Sequence, residues 1–147
     1  VFAAPPALVH DAASFAEANA RLSSSGQPRI SQQAWALVPR IVEATAFAMR
    51  DARVREVHPE VCFCAMAGKP LAWSKKSWNG LMLRRRLLAD AGLAVPDEIP
   101  GAAGAVADDI VDAAAAAWSA RRMAQGAGRS LPDPPESSEG GLVAIWY

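Results

Sequence analysis

Apolar and polar residues follow a helical rhythm over most of this chain, with Pro, Gly and Ser separating the periodic stretches. The spacing of the apolar positions predicts helices over residues 12–23, 31–52, 59–68, 81–91 and 105–125. Strand patterns are scarce and are confined to residues 54–58 and to the apolar run 142–147. The pattern therefore predicts a helix-rich α/β protein.

Single residues mark where these helices begin, bend and end. Asp11 and Ser31 are predicted N-caps, because their side-chain oxygens can accept hydrogen bonds from the free N–H groups of a first turn. Pro39 is expected to kink the second helix, and Pro59 suits the first turn of the third. Gly92 is expected to end the helix before it.

The two predicted strands are too few for a stable sheet. Residues 125–141 are rich in Gly, Pro and Ser and predict a flexible loop, so residues 142–147 are expected to pair only with residues 54–58. A two-stranded sheet is not stable alone in water. We therefore expect a single but partial domain over residues 1–147, whose sheet is completed by a preceding N-terminal strand block or by a second chain.

Composition limits the class of protein further. The chain has 147 residues, 52% of them hydrophobic, with 15 basic and 15 acidic side chains. This balance excludes the globally basic footprint of a histone-like nucleic-acid binder. Cys62 and Cys64 are too close in sequence for a paired zinc motif or a disulfide framework, which indicates a reduced, cytoplasmic location. No apolar stretch is long enough to span a membrane.

Charge is distributed unevenly within the neutral total. Residues 69–86 carry basic side chains and no acid, whereas residues 87–112 carry acidic side chains and no base. Two interpretations stay open. The two segments neutralise each other at the surface, or they form a phosphate-binding rim beside an acidic metal pocket.

The last predicted helix carries three aspartates near its start. With Val106, Ile110 and their helical neighbours on the buried face, Asp109 and Asp112 flank that face and Asp108 points to solvent. Acids in a first turn also suit the helix dipole, which is the alternative explanation for them.

Further candidates lie between the second and fourth helices. Glu56 in the short strand is costly unless a cation or metal accompanies it, and His58 and Glu60 follow as auxiliary candidates or as parts of a helix start. Lys75 and Lys76 lie between Trp73 and Trp78, a basic patch interleaved with aromatic side chains of the kind that binds nucleic acid.

Four ordered blocks of the sequence resemble a known family. They are Arg55-Glu56-Val57-His58-Pro59-Glu60-Val61, then Ser74-Lys75-Lys76 with Gly80 and Arg84-Arg85, then Asp108-Asp109-Ile110-Val111-Asp112-Ala113, and Gly141-Leu142-Val143-Ala144-Ile145-Trp146-Tyr147. The chain resembles family 429 of the domains of unknown function, predicted nucleases with a ribonuclease-H-like fold. The resemblance runs from the first residues to the last.

The resemblance implies a metal-dependent nuclease. Glu56 would be the strand acid and Asp109 and Asp112 the helix acids that hold Mg²⁺ or Mn²⁺ for phosphodiester hydrolysis. Basic side chains would contact the phosphates of DNA or RNA, and these are Lys75, Lys76, Arg84 and Arg85.

One part of the family pattern is missing. The chain lacks the first acid-bearing strand, so this segment alone is expected to be inactive or barely active. The alternatives are a non-catalytic ribonuclease-H-like module that binds nucleic acid or protein, and a purely structural helical protein.

Overall fold

The computed structural model describes residues 4–102, 104–138 and 141–147. They form two compact units, Val1–Val54 and Arg55–Tyr147. The single domain expected over residues 1–147 stays a prediction. The candidate site residues all lie in the second unit.

Among its described residues, the first unit contains a short 3-10 helix (Ala7–Val9) and the α-helices α1 (Phe15–Ser24), α2 (Gln32–Trp35) and α3 (Val38–Ala48). Its core consists of Val9, Ala18, Leu22 and Val38. Ser14, and not Asp11, caps α1, because its hydroxyl accepts a hydrogen bond from the N–H of Glu17. Asp11 pairs instead with Arg21, at 2.6 Å.

The helix predicted over residues 31–52 is two helices. Ser31 caps α2 as predicted, accepting a hydrogen bond from the N–H of Ala34 at 3.1 Å. Pro39 lies in the first turn of α3, where its missing N–H costs nothing, so it begins a new helix rather than kinking a continuous one.

The second unit is built on α4 (Pro59–Ala67), α5 (Trp78–Asp90) and α6 (Ala107–Ala124). The three helices pack around a core of Cys62, Phe63, Leu88, Val111, Ala115 and Trp118. Pro59 occupies the first turn of α4, and Gly68 ends it with a φ of 67°, a conformation that a side chain disfavours. Of the helices described, none combines the length and the apolarity needed to cross a membrane.

The buried face of α6 differs from the predicted one. Val111, Ala115, Trp118 and Ser119 face the core, so the buried face lies about 160° around the helix from the predicted one, nearly on its opposite side. Alanines lie on most faces of this helix, so the small apolar residues alone are compatible with several buried faces. The large Trp118 determines which face packs against the core. As a result, Asp109 is exposed, whereas Asp108 and Asp112 are half-buried.

The sheet also differs from the prediction. β1 (Ser130–Ser138) pairs antiparallel with β2 (Gly141–Trp146), so part of the segment predicted as a loop over 125–141 is a strand. The three prolines of β1 fall where the pairing is interrupted, between Leu131 and Glu136, so their missing N–H groups leave no gap in the ladder. This interruption explains why a proline-rich segment can be a strand.

The predicted strand 54–58 is reduced to one parallel bridge, between Val57 and Trp146. The N–H of Trp146 donates to the carbonyl oxygen of Glu56 at 2.8 Å. Because β1 is the main partner of β2, the expectation that residues 142–147 pair only with residues 54–58 is wrong. The architecture is helix-rich α/β with a small antiparallel sheet.

Candidate functional site

A lysine held by two aspartates marks the start of α6. The Lys75 ammonium donates to Oδ2 of Asp112 at 2.5 Å and lies 3.7 Å from Oδ2 of Asp108. The two aspartates are four residues apart, so they lie on one face of the helix. We call this group the lysine–aspartate cluster.

Electrostatics within the lysine–aspartate cluster favour the charged lysine. The hydrogen bond to Asp112 raises the pKa of Lys75, and Asp108 and Glu60 act in the same direction, against the effect of burial. Oδ1 of Asp112 is buried and has no hydrogen-bond partner among the described residues. Half of this carboxylate is therefore unsatisfied.

We expect Asp112→Asn to return the pKa of Lys75 toward its ordinary value of 10.5, because the substitution removes the main cause of the increase. Since folding raises this pKa, the ion pair stabilises the folded state fully below pH 10.5 and loses that effect as the pH rises through the raised value. NMR titration of the lysine side chains measures the pKa. Asp109→Asn, which changes the exposed neighbouring aspartate, is the control and is expected to leave the pKa of Lys75 unchanged. The same pKa in Asp112→Asn as in the parent would contradict the ion pair between Lys75 and Asp112.

The segment that carries Lys75 is fastened to the start of α5. Ser77 caps this helix, with its hydroxyl accepting from the N–H of Gly80 at 3.1 Å and donating to the carbonyl of Ser74 at 2.7 Å. Gly80 is buried so close to Ser74 that a Cβ atom there would overlap the carbonyl oxygen. Glycine is thus required for this approach.

Arg84 holds the same segment from inside the fold. Its guanidinium is 2% exposed and forms two hydrogen bonds with Glu60, at 3.0 and 2.6 Å. It also donates to the carbonyl oxygens of Trp73 and Gly80, at 3.2 and 3.0 Å. With four of its five N–H groups donating to groups within the fold, Arg84 is placed to hold this segment rather than to contact a phosphate as predicted.

The other predicted nucleic-acid contacts have different surroundings. Arg85 donates to Asp97 at 2.5 Å and to the carbonyl oxygen of Val95 at 3.0 Å. Lys75 belongs to the lysine–aspartate cluster. Lys76 is exposed, and within the described parts of the chain it forms no ion pair. Lys76 is therefore the best placed of the four to meet a phosphate.

An open cleft of about 580 Å³ adjoins the lysine–aspartate cluster. One wall comes from the segment before α5 and its first turns, and the other from the start of α6. The lining residues are Lys75, Lys76, Ser77, Trp78, Leu81, Val106, Ala107, Asp108 and Asp109. We call this the basic–acidic cleft.

Residues 1–137 match the sequence profile of a protein family. The description of this family is "Protein of unknown function (DUF429)". The chain belongs to the DUF429 family. This confirms the family that the resemblance indicated, and the matched residues include the first three of the four sequence blocks. Comparison with curated proteins and with solved structures finds no significant match.

The predicted metal ligands of this DUF429 chain are not brought together. Glu56 and Asp109 have exposed side chains, and Asp112 is paired with Lys75. Among the residues that the structure describes, no three His, Cys, Asp or Glu side chains are placed to hold a metal ion. The described residues by themselves therefore do not fit Mg²⁺ or Mn²⁺.

The two auxiliary candidates occupy the start of α4 in the DUF429 chain. His58 is the N-cap residue, and its Nδ1 is buried without a hydrogen-bond partner among the described residues. Glu60 lies in the first turn and forms an ion pair with Arg84. Glu60 thus has a structural partner, and His58 has a free ring nitrogen.

Sequence reasoning missed Asp108, which it placed toward solvent. The signal that could have found it is the four-residue spacing to Asp112 combined with a core position for Trp118. A helix phase fixed by Trp118 together with the buried Ser119 places both aspartates on the sheltered side.

Proposed function

We propose that this chain is the acid-bearing part of a divalent-metal-dependent nuclease with a ribonuclease-H-like fold, which hydrolyses phosphodiester bonds of DNA or RNA. The observation that carries the proposal is the unsatisfied Oδ1 of Asp112, beside Asp108 and next to a cleft with an exposed lysine. A buried carboxylate oxygen without a donor is costly, and a cation is its natural partner.

The proposal requires a further ligand besides the two aspartates. A strand added beside Glu56 and His58 would extend the sheet from the side of Val57, which forms a single bridge with Trp146. Such a strand could come from an N-terminal block or from a second chain. The Lys75 ammonium meanwhile compensates the charge of Asp108 and Asp112.

A non-catalytic ribonuclease-H-like module is the second candidate. The observation that favours it is the ion pair of Lys75 with Asp112, because aspartates already neutralised by a lysine have less need of a metal ion. This candidate predicts binding of nucleic acid or protein without binding of a divalent ion.

Cleavage of labelled DNA and RNA by the complete gene product, with Mg²⁺ or Mn²⁺, tests the nuclease proposal. We expect Asp108→Asn and Asp112→Asn to lower the rate on the order of 100-fold. Asp90→Asn, on the exposed end of α5, is the matched control and should leave the rate unchanged.

Equal rates for the parent and both aspartate variants would refute the assigned site. The absence of both cleavage and Mn²⁺ binding in calorimetry would refute the nuclease and favour the non-catalytic module. Losses in Asp109→Asn and Asp112→Asn, with none in Asp108→Asn, would restore the pair of helix acids predicted from sequence.

A further inference from the structure

Trp78 leaves a large aromatic surface in water at the mouth of the basic–acidic cleft. Its side chain is 71% exposed, although it begins a helix whose other face is in the core. Lys76, two residues before it, is exposed at the same wall of the cleft. An exposed aromatic ring beside an exposed cation is the pairing that binds unstacked bases and their phosphates.

We propose that this cleft binds a single-stranded segment of nucleic acid, with a base stacked on Trp78 and a phosphate at Lys76. This inference rests on the proposed function. Bases within a duplex are stacked on one another, so an indole ring has no free face to meet. A single strand offers such faces whatever its sequence. The substrate class is therefore single-stranded DNA or RNA, or a single-stranded end.

The size and charge of the cleft agree with this occupant. Its volume of about 580 Å³ falls within the range of small-molecule sites, so it has room for a nucleotide. Asp108 and Asp109 lie on the opposite wall, and their negative charge keeps a phosphate on the side of Lys76. The bound strand would thus pass the lysine–aspartate cluster with its backbone facing Lys76.

Trp73 provides the matched control for Trp78. Its side chain is also exposed, at 48%, but it is not among the residues that line the cleft. The hydrogen bond from Arg84 reaches its backbone oxygen, so Trp73→Ala keeps that contact. Trp78→Ala is likewise compatible with folding, because alanine is the better helix former.

The test is fluorescence anisotropy with a labelled 15-nucleotide oligothymidylate and with its duplex, using the complete gene product in EDTA so that no cleavage occurs. We expect tighter binding of the single strand and a loss of about 10- to 100-fold in Trp78→Ala. Trp78→Phe and Trp73→Ala should retain most of the affinity. Lys76→Met should weaken binding and flatten its salt dependence by about 0.7 in slope.

Affinity unchanged in Trp78→Ala, or tighter binding of the duplex, would overturn this inference and leave the nuclease proposal to its own cleavage assay. Trp78-dependent binding of the single strand without any metal-dependent cleavage would support the inference and refute the nuclease. The two proposals can therefore fail separately.

Discussion

Gly80→Ala is expected to lower the free energy of unfolding by about 2 kcal/mol or more, the reverse of the usual effect inside a helix. Alanine normally stabilises a helical position by about 1 kcal/mol relative to glycine. At Gly80 the added Cβ would overlap the carbonyl oxygen of Ser74, well inside the 3.0 Å that real Cβ atoms respect. Backbone must then move, at a cost typical of overpacking.

Urea denaturation followed by circular dichroism measures this effect. Gly104→Ala is the control, because a Cβ there meets no atom within 4 Å, and it should be neutral or slightly stabilising. The strained Ser74 segment carries Lys75, so we also expect the raised pKa of Lys75 to fall in Gly80→Ala. A stabilised Gly80→Ala protein would contradict the described approach of α5 to this segment.

Glu60→Ala is expected to lower the free energy of unfolding by about 3 kcal/mol. The substitution leaves the guanidinium of Arg84, which is 2% exposed, without its counter-charge, and an unpaired buried charge is among the costliest defects in a fold. Glu60→Gln should cost less, because the amide oxygen can still accept a hydrogen bond from Arg84.

The matched control for this prediction is the ion pair between Arg85 and Asp97. It joins the neighbouring arginine to a carboxylate whose side chain is 89% exposed. Asp97→Ala should therefore cost at most about 1 kcal/mol in the same denaturation experiment, as is usual for surface pairs. Equal losses in Glu60→Ala and Asp97→Ala would show that Arg84 is hydrated after all.

Local signals predicted the helices of the second unit well. Pro59 and Gly68 bracket α4 as expected, since each acts through its own backbone geometry and needs no distant partner. The family was also predicted correctly, and three of the four ordered blocks that indicated it lie within the matched residues. The features that depend on residues close together in sequence could therefore be predicted.

The rest depends on partners far apart in sequence. Arg84 resembles a surface phosphate ligand in a basic run, and its burial follows from Glu60, which lies 24 residues earlier. The prediction that Asp108 points to solvent was wrong, because an alanine-rich helix has no unique apolar face. The packing of Trp118 into the core determines which face is buried. β1 was missed because prolines normally exclude a strand, and the interruption after Leu131 that admits them is set by the pairing with β2.

The bond between Trp146 and Glu56 has a consequence for the order in which the protein is made. A ribosome synthesises Glu56 and the start of α4 long before the strand that fixes them, about 90 residues later. Closing so long a loop is slow, although its entropic cost grows only gradually with length. Val57 therefore lacks its bridge to Trp146 while most of the chain is synthesised, and in that interval another strand can still pair with it.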